Sequence, residues 1–182
     1  QVLGGEPAEL DVCLQMLEGR GYKQVDINMG CPFTMISRRG KGAGLLPHPE
    51  RVEALMEVVK DFPEIQCSVK MRLGWEDPGE CLKLLPLLNA APLAAIFLHA
   101  RVGVQEYKGE ADKEAFEIFY KECEHPLYYN GDVLTLEDIQ AVTERFPRLE
   151  GVMIGRGLLA NPALAQEYAE NKELTGEERL NK

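Results

Sequence analysis

A thiol stands where an apolar run gives way to polar residues: Val25-Asp26-Ile27 leads directly into Asn28-Met29-Gly30-Cys31-Pro32. Pro32 has no amide proton and disfavours helix at the residue before it, so Cys31 lies on extended, irregular backbone that can present a side chain to a cleft. Two readings stand for Cys31. It is either a small buried residue, or an acid or nucleophile at the carboxyl end of a strand, where barrel enzymes keep their chemistry. Lys70 and Arg72 lie two apart and share one face of a strand. Either they are surface cations at a strand end, or they face an interior and need an anion or an electron-rich ring to justify their burial. His99 ends another apolar run, with a hydrogen-bonded core histidine as the alternative to a catalytic one. Asn130-Gly131-Asp132 and Gly155-Arg156-Gly157 follow the last two apolar runs. Singly they are a turn and a loop. Together, in the slots where barrels commonly hold phosphate, they favour phosphate binding, because glycines admit backbone amides to an anion and an arginine can bind it bidentately.

These residues need strands to carry them. The pattern predicts strands over 24–28, 66–72, 95–99, 127–130 and 151–154, with helices over 49–60, 78–88 and 112–123 and one opening at Thr135. In the first helix Val52, Leu55, Met56 and Val59 fall on one face at helical spacing. Thr135 is a helix N-cap, with Glu137 and Asp138 in the first turn. Strands alternating with helices are the mark of βα units on a parallel sheet. A doubly wound sheet gathers polar residues at one switch point, whereas a barrel brings every carboxyl end to a common mouth. Here each strand ends in a polar, glycine-bearing or basic cluster, so the expected fold is α/β, an incomplete (β/α)8 TIM barrel. Residues 1–3 count as the end of one more strand, which makes this about the last five to six units. Residues 1–165 are expected to form the partial barrel, and 166–182 a charged tail or the start of a helical C-terminal domain. Gly40-Lys41-Gly42-Ala43-Gly44 lacks the Gly-Lys-Ser/Thr ending of a phosphate loop and reads as a mobile lid. Arg38-Arg39-Gly40-Lys41 reads as a solvated basic loop, and Tyr107-Lys108-Gly109 as either a wall of the mouth or a plain turn.

Bulk properties narrow the classes. A chain of 182 residues buries roughly 70% of the surface it would expose unfolded, enough for one domain with a real core. Five cysteines without a CxxC pair argue against a disulfide framework and against a zinc site, so no metal is expected and a reducing cytoplasm fits. No run approaches the ~20 apolar residues of a membrane helix, and the N-terminus lacks a signal peptide's basic start and apolar core. A formal charge of −10 weighs against a dominant nucleic-acid surface in this segment.

The motifs together resemble the tRNA-dihydrouridine synthases. The matching stretches, in order, are Asp26-Ile27-Asn28-Met29-Gly30-Cys31-Pro32, Gly42-Ala43-Gly44-Leu45-Leu46, Val69-Lys70-Met71-Arg72, His99-Ala100-Arg101, Asn130-Gly131-Asp132-Val133 and Ile154-Gly155-Arg156-Gly157. The resemblance implies FMN-dependent reduction of uridines in tRNA, with hydride passing from flavin N5 to uracil C6, a proton from Cys31 to C5, and electrons drawn from NADPH. It implies that Asn28 and Arg72 hold the base and that Gln1 and Lys70 meet the polar edge of the flavin. His99, Asn130, Gly131, Asp132, Gly155 and Arg156 would hold the ribityl phosphate region. Elementary chemistry agrees: cysteine as a side-chain type is mostly protonated at neutral pH, which suits an acid better than a nucleophile. Lysine beside the flavin N1-C2 edge favours the anionic reduced form. Two other readings compete. One is a flavin barrel like dihydroorotate dehydrogenase, which Lys70-Met71-Arg72 and His99-Ala100-Arg101 fit less well. The other is an inactive open barrel whose unpaired sheet edges promote association.

Overall fold

The structure, a computed structural model, describes residues 1–176 and 179. The end of the charged tail expected over 166–182 lies outside the described residues at 177–178 and 180–182. The chain runs α1 (Pro7–Glu18), β1 (Gln24–Met29), α2 (Thr34–Ser37), a 3-10 turn (Gly42–Leu45), α3 (Pro49–Lys60), β2 (Gln66–Gly74), α4 (Glu80–Ala90) and β3 (Leu93–Val102). A second 3-10 turn (Gly103–Gln105) then leads to α5 (Lys113–Glu122), β4 (Leu127–Asn130), α6 (Leu136–Arg145), β5 (Gly151–Met153), α7 (Arg156–Ala160) and α8 (Leu164–Glu170).

All strand pairings are parallel, and β1 to β5 lie side by side in sequence order. Val2 adds a parallel bridge to Ile27 beyond β1, its amide donating to Asp26 O and its carbonyl accepting from Asn28 N, both at 2.8 Å. The expected strand end at 1–3 is therefore in place. Helices between successive parallel neighbours, with no reversal of strand order, are the succession of a (β/α)8 barrel. The fold is α/β and belongs to that class.

Side-chain alternation gives the sheet two different faces. Val25, Ile27 and Met29 of β1, Val69 and Met71 of β2, Ile96 and Leu98 of β3, and Leu127 and Tyr129 of β4 are buried in one continuous core. Helix residues complete it, among them Val52, Leu55, Met56 and Val59 of α3, as the spacing predicts. Phe116 of α5 meets Tyr129 edge-on at 4.8 Å between ring centroids and Phe146 at 5.0 Å. Each such side chain contributes about 1.5–3 kcal/mol on burial, so the helix-covered face holds the sheet together. The opposite face carries Asp26, Asn28, Ser68, Lys70, Arg72, His99 and Asn130. Register brings these together: Asn28 pairs Lys70, Arg72 pairs His99, and His99 pairs Asn130.

Differences from expectation are local. β2 and β3 run on to Gly74 and Val102 because their ladder continues past the polar residues. The segment Gly40–Gly44, expected as a mobile lid, is instead a buried floor. Gly42, Ala43 and Gly44 are all buried, and Ala43 N donates to Cys31 O at 3.0 Å. Gly42 has φ +57, and a side chain there would place Cβ 2.7 Å from Cys31 O and 2.9 Å from Cys31 Cβ. Only glycine lets this turn pass so closely beneath the thiol-bearing residue.

Candidate active site

One cleft of about 780 Å³ at the carboxyl ends of the strands is lined by Gln1, Asn28, Cys31, Lys70, Arg72, His99, Asn130, Gly131, Asp132, Gly155 and Arg156. Every residue to which the resemblance gives a role is there. Parallel strands of matched register make this possible, because their carboxyl ends all reach the same rim.

Cys31 is partly buried and held from two directions. From below comes the Gly42 turn. From the side, Asn28 Oδ1 accepts from both Gly30 N and Cys31 N at 3.0 Å. Asn28 Nδ2 in turn donates to Gln1 Oε1 at 2.9 Å, Gln1 Nε2 donates to Asp26, and Ser68 Oγ donates to Asp26 at 2.9 Å. A carboxylate can only accept, so Asp26 sets which end of the Gln1 amide faces it, and Gln1 then sets the orientation of Asn28. Asp26 therefore orients the chain of amides that ends on the Cys31 backbone.

Lys70 is half-buried, and its Nζ donates to Asn130 Oδ1 at 3.3 Å. No carboxylate lies within ion-pair distance of it among the described residues. Burial, and secondly the neighbouring Arg72, push its ammonium below the usual lysine range, while Asp26 acts the other way. Arg72 is only 1% exposed. Its Nε donates to Gly30 O at 3.0 Å, and its Nη1 donates to Val102 O at 2.9 Å and Glu106 O at 2.7 Å. That side chain ties the Cys31 loop to the end of β3 while lining the cleft.

His99 is pushed down to about 3 by burial and by the cations Arg72, Lys70 and Arg101. It is therefore neutral near pH 7. Arg101 Nη1 stands 3.3 Å from His99 Nε2. A guanidinium can only donate, so Nε2 accepts and the ring proton is assigned to Nδ1. A histidine whose folded value lies below its unfolded one binds fewer protons when folded, so its share of stability is present above the unfolded value and is lost as pH falls. Between pH 6.5 and 4 the parent chain is expected to lose urea stability faster than the His99→Gln variant. Parallel losses in the two proteins would contradict a neutral buried imidazole.

At the far side, Asp132 Oδ1 and Oδ2 accept from Arg101 Nη2 at 2.7 and 2.6 Å, and Oδ1 also accepts from Arg156 Nη2 at 3.0 Å. Ala111 N donates to Oδ2 at 2.8 Å. With its carboxylate so engaged, Asp132 bears on an anion in the cleft through the two arginines it aligns. Gly131, at φ +142, occupies backbone space where a Cβ would meet Ala111 Cβ at 3.0 Å. Arg156, expected in a loop, opens the short helix α7.

Arg101 and Asp26 support the site without a role implied by the resemblance, and Tyr107 settles between its two readings. Arg101 follows His99 by two and shares its face, the same rule that paired Lys70 with Arg72. Asp26 precedes Asn28 by two in the same way. Tyr107 proves to be a wall of the cleft: its ring lies 5.5 Å from the Arg72 guanidinium and 5.6 Å from that of Arg156. Lys70, Arg72 and Arg156 line one cavity, the buried Arg101 stands behind Asp132, which pairs with it and with Arg156, and Asp26 lies near Lys70. In a chain of formal charge −10, this local cationic surplus suits an anionic, electron-rich planar ligand. Among the described residues no group of His, Cys, Asp and Glu is placed to hold a metal ion, and no helix is long and apolar enough to cross a membrane.

Fold and cleft define the class: an α/β barrel that collects polar residues from successive strands at one mouth. Its family follows from comparison. A sequence model of the dihydrouridine synthase (Dus) family matches residues 1–181, and the chain belongs to that family. The chain is 29% identical over 165 residues to tRNA-dihydrouridine synthase B of Pasteurella multocida, covering 90% of this chain and 49% of the relative. It is 32% identical over 177 residues to tRNA-dihydrouridine(16) synthase of Vibrio parahaemolyticus, covering 94% and 54% respectively. The chain thus spans about half the length of the curated relatives it matches. Among solved structures, the old yellow enzyme homologue from Zymomonas mobilis aligns with TM-score 0.64 at 16% identity, over 93% of this chain and 52% of that one. A dihydrodipicolinate synthase aligns with TM-score 0.61 at 12% identity, over 93% and 56%. At those identities the likeness is one of fold.

Proposed function

We propose that this chain carries the catalytic residues of an FMN-dependent tRNA-dihydrouridine synthase, acting in the cytoplasm with NADPH as the source of electrons. The observation that carries the reading is the pairing, in one cleft, of a positioned thiol with a half-buried lysine that has no carboxylate within ion-pair distance among the described residues. Bound FMN supplies the hydride equivalent for reduction of the uracil 5,6-double bond. Cys31 holds the proton destined for C5, and its backbone is fixed by Asn28 and by the Gly42 turn. Lys70 supplies positive charge for the anionic reduced ring, at the strength that a partly dry cavity allows. Gln1 offers its amide to the same edge, while Asn28 and Arg72 orient the pyrimidine. His99, Asn130, Gly131, Gly155 and Arg156 hold the ribityl phosphate, with Asp132 keeping Arg156 in place. Within this reading residues 1–165 do the chemistry.

The first test is spectroscopic. After incubation with FMN and desalting, the protein is expected to retain a flavin band near ~450 nm, and Lys70→Met to weaken binding about tenfold, roughly 1.4 kcal/mol. A colourless protein after loading would overturn the cofactor assignment.

A further inference from the structure

Beside the cleft lies a second groove of about 330 Å³, walled by Pro32, Phe33, Thr34, Met35, Glu106 and Tyr107. Pro32, Phe33 and Tyr107 also line the cleft, so the two spaces adjoin. Phe33 is 72% exposed, Met35 73% and Tyr107 60%. Three large apolar side chains clustered at a site mouth mark a docking surface more than they serve the core.

The neighbouring charge says what kind of partner docks. Of the cations that follow the groove, Lys41 is paired with Glu9 at 2.7 Å and Arg51 with Glu6 at 2.7 Å. Arg38 and Arg39 are exposed and make no ion pair among the described residues. Two open arginines three and four residues beyond Met35 of an aromatic groove, in a chain of formal charge −10, are complementary to a polyanion bearing flat apolar rings. The groove itself contains the exposed Glu106, which repels phosphate but can accept from a base's exocyclic amine. The ring therefore belongs in the groove and the phosphate toward Arg38 and Arg39, which follow it in the chain.

Resting on the function proposed above, we propose that this groove takes the nucleobase adjoining the target uridine, stacked against Phe33 and Tyr107, with Arg38 and Arg39 meeting the flanking phosphates. A uridine must leave its stack to enter the cleft, and that breaks its neighbour's stacking as well. An aromatic shelf at the mouth replaces the lost contact, and it does so for any base because every base has a π-face.

The test compares uridine 5′-monophosphate with a trinucleotide carrying central uridine, both titrated into the FMN-loaded protein. The trinucleotide is expected to bind at least tenfold more tightly. Met35→Glu, which changes the groove and not the cleft, should erase that advantage and leave the mononucleotide affinity unchanged. The double variant Arg38→Glu/Arg39→Glu should reduce the trinucleotide advantage and flatten its salt dependence. Equal affinity of the two probes for the parent protein would overturn the proposal, and is the result expected if another polypeptide segment covers the groove. An advantage that survives both variants would overturn it too. Binding of neither probe would overturn this assignment together with the function on which it rests, whereas mononucleotide binding without a trinucleotide advantage overturns this assignment alone.

Discussion

Replacing Cys31 with alanine is expected to lower uridine reduction by about 10²–10⁴-fold, the usual range for loss of a positioned general acid, while reduction of bound flavin by NADPH proceeds at the parent rate. On the function proposed above, the two half-reactions separate because they would use different parts of the cleft. Flavin reduction would need the ring held near Lys70 and the phosphate held near Arg156, and neither residue touches Cys31 through a hydrogen bond among the described residues. Uracil reduction needs a proton at C5, and Cys31 is the partly exposed thiol of this cleft. Cys13, Cys67, Cys81 and Cys123 do not line the cleft, so none of them is placed for the same work. Anaerobic bleaching at ~450 nm measures the first half-reaction, and dihydrouridine content of tRNA measures the second. Unchanged tRNA turnover in the alanine variant would remove Cys31 from the mechanism. An equal loss in both half-reactions would instead assign it to holding the flavin.

How far the sequence foretells this site depends on which physical rule each residue obeys. Lys70 and Arg72 were placed on one face by the two-residue period of a strand, which needs no tertiary information. The gathering of Asn28, His99, Asn130 and Arg156 followed from parallel strands in sequence order, since a common rim is then unavoidable. Helix α3 matches its expected span because Pro49 stands at its first position and an unbroken apolar face follows. Helix α1 was not anticipated: only Leu10 and Leu14 are buried, while Val12 and Met16 are exposed and blur the periodicity. The Gly40–Gly44 segment misled for the opposite reason. Glycines suggest mobility locally, but here they permit close approach, and that becomes visible only once the Cys31 loop is laid over them. The role of Arg101 was equally out of reach, because its partner Asp132 belongs to the next strand's loop.

That same Arg101–Asp132 contact sets the largest expected effect on stability. Arg101 is 1% exposed, and besides Asp132 its partners among the described residues are carbonyls and a neutral imidazole: Gly109 O at 2.6 Å, Lys108 O at 3.3 Å and His99 Nε2 at 3.3 Å. Removing the carboxylate leaves a buried cation beside Arg72 and Lys70 without its counter-charge. Breaking a fully buried pair in this way costs about 3–5 kcal/mol. The Asp132 side chain is 31% exposed, and water can partly replace it, so Asp132→Ala is expected to lose roughly 2–4 kcal/mol in urea unfolding at pH 7. Burial alone would raise the Asp132 carboxyl, but hydrogen bonds from Arg101 and Ala111 and the charges of Arg101 and Arg156 hold it below the usual range. Its stabilisation is therefore complete above the unfolded aspartate value of about 3.9 and is lost as pH falls below it. The gap between parent and variant should narrow in that acid window. Replacing both partners, as Arg101→Met with Asp132→Leu, removes the uncompensated charge and should recover much of the loss, whereas Asp132→Asn, which keeps the shape and loses the charge, should not. A single Asp132→Ala variant within about 0.5 kcal/mol of the parent, inside the range of ordinary surface substitutions, would mean that Arg101 does not depend on this carboxylate. The cationic side of the cleft would then need another account of how it stays folded.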